Sequence, residues 1–179
     1  MPLPSADLIQ ELLEAAQWAV TAHDGQIRRG SGNPYVVHPL RVAARVLGSG
    51  LEAESARIAL LAAILHDTLE DTDLPAEQIK KRFGEAVASV VDELTQDKTL
   101  PKAERRQKMI DGCGKYSLEA KVVKLADRWD NMSEMKDLGP QFVRRYCEEA
   151  ERMVAAMRGT WPRAESSIEE LISDARRSD

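Results

Sequence analysis

The chain has 179 residues and a net charge of −5, from 25 basic and 30 acidic side chains, which gives no overall reason to bind nucleic acid. Two cysteines without paired-motif spacing, Cys113 and Cys147, argue against a disulfide framework and suit a reducing cytoplasm. The N-terminus lacks the basic and apolar regions of a signal peptide, and no uncharged apolar run reaches membrane-spanning length, so we expect a cytoplasmic protein with one folded domain.

Hydrophobic residues recur at helical spacing along most of the chain. They predict a first helix at 8–20. The glycine-rich residues 25–34 then predict a loop, and Pro39 predicts the first turn of a helix that ends near residue 47. The alanine- and leucine-rich residues 54–65 are nearly all apolar on one side and predict a central, buried helix.

The remaining chain predicts six more helices. Their ranges are 75–83, 85–94, 102–111, 118–136, 141–157 and 164–176. We expect the last fifteen or so residues, which are polar, to fray. Because no strand of alternating hydrophobicity and no internal repeat is found, the predicted fold class is all-α, a helical globule and not a simple four-helix bundle.

The three histidines lie in three different settings. His66 follows the apolar central helix and is itself followed by Asp67, a pair that suits a metal. His38 opens a predicted helix beside the glycine-rich loop and is well placed to be a ligand, although a lone histidine there is more often packed in a core. His23 ends the first helix without an acidic partner, so we expect it to pack or to orient the loop by a hydrogen bond.

An acidic residue in a third segment completes a candidate metal site. Asp127 follows an apolar helical stripe that includes Val122, Val123, Leu125 and Ala126; Asp130 is the competing ligand, and a surface pair with Arg128 is the alternative role. Two imidazoles and two carboxylates suit a divalent ion such as manganese, iron or zinc. Such an ion polarises a phosphoryl oxygen and lowers the pKa of water, so the pattern is typical of a centre that acts on phosphoryl groups.

Glu70 and Asp71 lie one turn beyond His66 and Asp67 if the central helix continues through them. Burying four titratable groups without partners is costly, so a bound cation explains the cluster, whereas an exposed helix end with solvated acids is the alternative. Metal-assisted hydrolysis still needs a group that deprotonates or orients water and protonates the leaving oxygen, and this pair is the candidate. The other possible role of the pair is to orient the metal ligands.

The hydrolase domain of the RelA/SpoT family, within the HD metal-dependent phosphohydrolases, resembles this chain at four segments in the same order: 22–28, 31–39, 65–72 and 124–128. The similarity runs from about residue 8 to residue 137, and residues 97–102 are also similar to stand-alone small alarmone hydrolases, including those of metazoa. The resemblance implies a single all-helical HD domain over residues 1–179, with its core at about 8–158 and a C-terminal helix at about 164–176. It also implies removal of the 3′-pyrophosphate from ppGpp and pppGpp with manganese.

The resemblance implies a role for each matching residue. Those implied to hold one Mn²⁺ ion are His38, His66, Asp67 and Asp127. The implied catalytic acidic pair is Glu70 and Asp71. Those implied to contact the nucleotide are Arg28 or Arg29 at the guanine base, Asn131 on the sugar–phosphate side, and Ser31, Tyr35 and Lys98 around the pocket.

This chain departs from the family pattern at three places. The loop has one extra residue, so Arg28 and Arg29 can exchange roles. Residues 129–131 read Trp-Asp-Asn where Leu-His-Asn is common, and Glu134 stands where a small hydroxyl residue is common. Glu134 places a negative charge near an anionic substrate, which leaves the identity of the nucleotide open.

The leading hypothesis is a manganese-dependent guanosine-3′,5′-bis(diphosphate) 3′-diphosphohydrolase. The chain shows no synthetase, TGS or ACT region, so we expect hydrolysis without synthesis, and without a P-loop motif we expect no transfer from a nucleoside triphosphate. An HD phosphohydrolase of an adenine alarmone or of NADPH is the enzymatic alternative. The non-enzymatic alternative is a catalytically silent nucleotide sensor, although the intact Glu70–Asp71 pair argues against it.

Overall fold

The computed structural model describes residues 5–29, 31–135 and 138–177. Within these ranges the chain forms ten α-helices and a 3₁₀ turn, and its only strand-like pairing is a single bridge between Ile27 and Pro34. The all-helical fold predicted from hydrophobic periodicity is confirmed. The elements are α1 (Ala6–Ala22), α2 (Val37–Val46), α3 (Ala53–Leu65), α4 (Thr68–Asp71), α5 (Ala76–Phe83), α6 (Glu85–Leu94), α7 (Lys102–Gly112), the 3₁₀ turn (Cys113–Lys115), α8 (Leu118–Ser133), α9 (Pro140–Ala156) and α10 (Pro162–Arg177).

Helix α3 lies at the centre of the fold, as its composition predicts. Every residue from Ala59 to Leu65 is buried. Because its side chains are apolar on all sides, α3 packs against four neighbours, α1, α2, α6 and α8. Polar side chains therefore enter the interior of the protein at the C-terminal end of this buried helix.

Helix α8 is the second buried element, and it carries charge into the core. It packs against α2, α3, α6 and α10 and ends at Ser133, while its predicted end at residue 136 lies outside the described residues. Its buried side chains include four charged ones, Lys124, Asp127, Arg128 and Asp130. Buried charges are costly unless they are paired, so these four groups need partners inside the fold.

The central helix ends at Leu65 and does not continue through Asp71. Two side chains bond to backbone carbonyls at this point. His66 donates to the carbonyl of Ala63 at 2.8 Å, and Thr68 donates to that of Leu65 at 2.7 Å. Side-chain donors of this kind compete with backbone N–H groups and favour a helix end. The short helix α4 then starts in a new direction and carries the acidic pair.

Helix α10 differs from its sequence prediction. The last residues were expected to fray, but the structure is helical to Arg177. Ile168 and Ile172 are buried, and α10 packs against α8 and α9. Two isoleucines spaced four residues apart form an apolar stripe that docks the helix although most of its residues are polar.

Two further features are the state of the cysteines and the ability of the helices to span a membrane. Cys113 and Cys147 are both buried as thiols. Among the helices described, none combines the length and the apolar character that a membrane span requires.

Candidate metal centre and substrate cleft

Four side chains from three parts of the chain point into one centre. His38 lies in the first turn of α2, His66 and Asp67 lie between α3 and α4, and Asp127 lies on α8. The Nε2 atom of His38 lies 3.2 Å from Asp127 Oδ1 and 3.8 Å from Asp67 Oδ2. The Nε2 atom of His66 lies 3.0 Å from Asp67 Oδ2 and 3.9 Å from Asp127 Oδ1. The structure thus brings together the four residues that the sequence motifs predict as metal ligands.

Both imidazole rings are oriented by a partner on their far side. The Nδ1–H group of His66 donates to the carbonyl of Ala63 at 2.8 Å, and that of His38 donates to Asp130 at 2.8 Å. Because a carbonyl and a carboxylate only accept, the Nε2 atom of each ring is left for the centre. His66 Nε2 is buried and makes no hydrogen bond of good geometry within the described residues. A buried nitrogen without a bond, facing two carboxylates, fits a divalent cation.

The charges of the centre also favour a cation. Burial alone would raise the pKa of Asp127, but Lys124, with Nζ 3.0 Å from Oδ2, lowers it well below its usual value. Burial likewise opposes ionisation of Asp67, yet the charge of His66 lowers the pKa of that carboxyl. In turn, burial disfavours protonated His66, but Asp67 and Asp127 raise its pKa to about 9. The carboxylates are therefore ionised at neutral pH, and a metal ion competes with the proton for His66.

Asp130, the competing ligand of the sequence analysis, lies outside the centre. Its carboxylate is 1% exposed and meets the Nδ1 atom of His38, the nitrogen that faces away from the other ligands. Arg41 donates to it from Nε at 3.1 Å and from a terminal nitrogen at 2.9 Å, and Arg45 donates at 3.2 Å. Asp130 therefore orients His38, and two arginines balance its charge.

Sequence reasoning missed the role of these two arginines. The signal was present, since His38, Arg41 and Arg45 follow each other at spacings of three and four residues and so share one face of α2. What the sequence lacked was the rotation of α2 against α8, which turns this face toward Asp130.

The acidic pair lies on α4, one turn beyond Asp67. Glu70 accepts a hydrogen bond from the backbone of Gln96 at 3.1 Å, and burial raises the pKa of its carboxyl. Asp71 pairs with Lys98, whose side chain is 47% exposed. The segment before α7 thus contacts the acidic pair, and it carries one of the predicted substrate residues, Lys98.

A cleft of about 740 Å³ opens beside the metal centre. Four predicted substrate residues line it: Arg28, Arg29, Tyr35 and Asn131. Ser31 lies on the exposed part of the loop outside the cleft lining, and Lys98 lies at the acidic pair. The cleft also has an apolar wall, formed by Ile27, Met135, Leu138, Phe142 and Tyr146. A polar rim opposite an apolar wall is the usual composition of a small-ligand site.

Two residues join the cleft directly to the predicted metal ligands. Tyr35 donates its hydroxyl proton to Asp67 Oδ2 at 2.7 Å, and Asn131 donates its amide to Asp127 Oδ1. Arg28 donates to Asn131 at 2.6 Å and to Glu134 at 2.8 Å, whereas Arg29 is exposed. The extra loop residue left open whether Arg28 or Arg29 contacts the base, and Arg28 is the one that contacts α8.

His23 and Gln26 fasten the loop to the acidic pair. His23 donates from Nδ1 to the side chain of Gln26 at 3.0 Å, and Gln26 donates to the backbone carbonyl of Asp71 at 2.9 Å. The hydrogen bond expected of His23 is therefore present. Gln26 was missed because a neutral amide shows neither charge nor metal-ligand chemistry in a sequence.

Comparisons with known proteins give a consistent result. Residues 15–159 match the family model described as HD domain. Two similar relatives are guanosine-3′,5′-bis(diphosphate) 3′-pyrophosphohydrolases named MESH1. The protein of Xenopus tropicalis is 38% identical over 169 residues, which cover 91% of this chain and 93% of the relative. The protein of Homo sapiens is 39% identical over 169 residues, which cover 90% and 93%.

A solved structure is also similar to this chain along nearly its whole length. It is that of a metazoan ortholog of SpoT that hydrolyses ppGpp. The TM-score is 0.85 at 32% sequence identity, and the match covers 97% of this chain and 98% of the other.

Proposed function

Because this chain belongs to the HD-domain family, and within it to the MESH1-type guanosine-3′,5′-bis(diphosphate) 3′-pyrophosphohydrolases, we propose that it hydrolyses ppGpp and pppGpp to GDP and GTP. The family expected from the sequence motifs is confirmed. The observation that carries the proposal is the convergence of two imidazole nitrogens and two carboxylates beside a cleft with a cationic rim.

We propose Mn²⁺ as the metal of this centre. An HD domain implies a divalent ion, and the residues that would hold it are His38, His66, Asp67 and Asp127. Mixed imidazole and carboxylate ligands suit manganese, iron and zinc alike, and the resemblance to the alarmone hydrolases favours manganese. When bound, such an ion polarises a phosphoryl oxygen and lowers the pKa of water.

We propose Glu70 and Asp71 as the acid–base pair of the hydrolysis. In the reaction a water oxygen bonds to phosphorus, the O3′–P bond breaks, a water proton goes to a carboxylate and a proton is delivered to O3′. Burial raises the pKa of Glu70, which brings its proton affinity nearer to neutral pH, where a proton-transfer group is most effective.

We propose that the nucleotide lies in the cleft with its 3′-pyrophosphate toward the metal centre. Arg28 would contact the base, and Asn131 and Tyr35 would hold the sugar–phosphate side next to the ligands they touch. Lys98, nearly half exposed beside Asp71, would neutralise charge on the pyrophosphate as the bond breaks. Arg29 and Ser31, on the exposed part of the loop, are proposed as outer contacts.

Turnover of a nucleotide panel tests the proposal. Purified protein with Mn²⁺ is incubated with ppGpp, pppGpp, the adenine analogue ppApp and NADPH, and products are separated by anion exchange. We expect GDP or GTP and one pyrophosphate per turnover from the guanine nucleotides, and no product with His66→Ala. Release of phosphate from NADPH without turnover of ppGpp would assign the other phosphohydrolase activity. Binding of ppGpp without any product would indicate a sensor.

A further inference from the structure

Glu134 is a carboxylate in the wall of a cleft that we propose takes an anionic nucleotide. It is the residue directly after α8, and its side chain is 18% exposed. Its Oε2 atom accepts from Arg28 at 2.8 Å, and its Oε1 atom pairs with Arg41 at 2.6 Å. Burial alone would raise the pKa of Glu134, but the two arginines lower it. An ionised carboxylate held toward the cleft needs a role that compensates for its repulsion of phosphate.

The position of Glu134 along α8 keeps it away from the phosphate end of the cleft. Asp127, Asn131 and Glu134 follow each other at spacings of four and three residues, so they share one face of the helix. Seven residues at the rise of an α-helix place Glu134 about 10 Å along the axis from the metal ligand Asp127. This separation is comparable with that between the 3′-phosphorus of a nucleotide and the outer edge of its base.

The surroundings of Glu134 suit a base. Met135, which follows Glu134 in the chain, lines the same cleft together with Leu138 and Phe142, whereas Tyr35 and Asn131 bond to Asp67 and Asp127 at the proposed metal centre. A planar ring can lie against this apolar wall with its polar edge toward the carboxylate. The two ends of the cleft thus differ in chemistry, phosphate chemistry at one and base chemistry at the other.

The carboxylate of Glu134 has acceptor capacity left after both arginines are counted. An ionised carboxylate offers about four lone-pair sites on two oxygens. Arg28 occupies one on Oε2 and Arg41 occupies one on Oε1. One site remains on each oxygen, so the carboxylate can accept two further N–H donors, one on each oxygen.

We infer that Glu134 selects guanine, by accepting the N1–H and 2-amino hydrogens of its Watson–Crick edge. The inference rests on the proposed function and adds the residue that sets the base preference. Guanine presents two adjacent donors on this edge, whereas adenine presents one donor and the lone pair of N1, which a carboxylate repels. Hypoxanthine keeps N1–H and lacks the 2-amino group, so it falls between the two. The adenine ring of NADPH is disfavoured for the same reason as that of ppApp.

A glutamine at this position reverses the pattern. Its side chain has one acceptor and one donor, which match the 6-amino group and N1 of adenine. Glu134→Gln is therefore expected to gain adenine recognition while it loses guanine recognition. Glu134→Asp keeps the carboxylate and withdraws it by one methylene, so we expect weaker binding of all bases with guanine still first.

The test compares kcat/KM for ppGpp, its inosine counterpart ppIpp and ppApp, with Mn²⁺ at saturation. We expect wild-type activity in the order guanine, hypoxanthine, adenine, and a fall of about 10–100-fold in the guanine-to-adenine ratio in Glu134→Gln. The change should lie in KM, with kcat on ppGpp little altered. Glu151→Gln, the same substitution in an exposed ion pair between α9 and α10, serves as the control and should keep the wild-type ratio.

Two results overturn the inference without touching the proposed function: a ratio in Glu134→Gln within about threefold of the wild type, or equal wild-type activity on all three bases. If the wild type hydrolyses none of them, the proposed function fails. Calorimetric binding of GDP, IDP and ADP then tests base recognition separately, and equal affinities overturn the inference too. Circular dichroism checks folding. If Glu134→Gln does not fold, the wild-type base series together with Glu134→Asp decides.

Discussion

The metal centre and the substrate cleft are adjacent but are stabilised in different ways. In the centre, His38 and His66 are almost fully buried, and each donates a hydrogen bond on its far side, His38 to Asp130 and His66 to a backbone carbonyl. In the cleft, the principal contacts are ion pairs of the partly exposed side chains Arg28 and Glu134. The polar groups of the centre are therefore largely closed off from solvent, whereas those of the cleft are accessible to a substrate.

The difference has a physical cause. A buried polar group that loses its partner costs about 1–3 kcal/mol, so the orientation of the ligands is strongly enforced. The Arg28 and Glu134 side chains are 12% and 18% exposed and line the cleft, so a nucleotide can contact them directly. Substitutions in the two regions should consequently differ in size and in the quantity they change.

Loss of a metal ligand should have the largest effect. His66→Ala and Asp127→Ala remove one of four groups that converge on the centre, and we expect both the bound ion and the activity to be lost. Since a metal ion supplies several kcal/mol of transition-state stabilisation, the rate should fall by about a thousandfold or more. The stabilisation of the fold by added Mn²⁺ should vanish as well.

Elemental analysis of metal per chain and the melting temperature with and without Mn²⁺ check this prediction. Asp111→Ala, which removes an exposed carboxylate on α7, is the control and should retain the ion. A ligand variant that keeps one Mn²⁺ per chain would show that the ligand set is wrong.

Removal of the proton acceptor should come next. Glu70→Gln keeps the shape of the side chain and its bond to the backbone of Gln96 but removes its charge. We expect kcat to fall about a hundredfold or more, the usual scale of a general acid–base group, with the metal retained. Near-normal turnover would instead move the acid–base role to Asp71. Single-turnover kinetics with metal analysis of the same sample separate these outcomes.

Loss of the negative charge of Asp130, the residue that orients His38, should have an intermediate effect. Asp130→Asn keeps an acceptor for His38 but removes the charge shared with Arg41 and Arg45. We expect the Kd for Mn²⁺ to rise about 10–100-fold, with one ion still bound at saturation. Equilibrium dialysis measures both quantities. An unchanged Kd would mean that the backbone alone holds His38 in place.

Loss of an arginine at the cleft should have the smallest effect. Arg28→Ala removes one contact of about 1–2 kcal/mol with the base, so we expect KM to rise up to about tenfold with kcat nearly constant. The guanine-to-adenine ratio should change little, because Glu134 keeps its partner Arg41. Arg29→Ala is the matched comparison. If it raises KM and Arg28→Ala does not, the base contact belongs to Arg29.

The helical fold class, the family and three of the converging side chains, His38, His66 and Asp67, can be predicted from the sequence, which leaves Asp127 and Asp130 as alternatives for the fourth. Hydrophobic periodicity depends on neighbours within a few turns, so it can be read locally, and the order of the motifs identifies the family. The predicted end of the central helix at residue 65 is confirmed, whereas the break before the acidic pair depends on hydrogen bonds from His66 and Thr68 to particular carbonyls. Sequence reasoning also underestimated the docking of α10, which two isoleucines accomplish.

Which of the nearby polar residues face the centre, and which contact the far side of a predicted ligand, depends on the tertiary structure. Asp127 and Asp130 are three residues apart on one helix, and the sequence offers both as ligands. The packing of α2 against α8 places Asp127 next to the Nε2 atom of His38 and Asp130 next to its Nδ1 atom. The same packing brings Arg28 to Glu134 across 106 residues of chain. Such pairings depend on the rotation of whole helices against each other, which no local pattern of residues encodes.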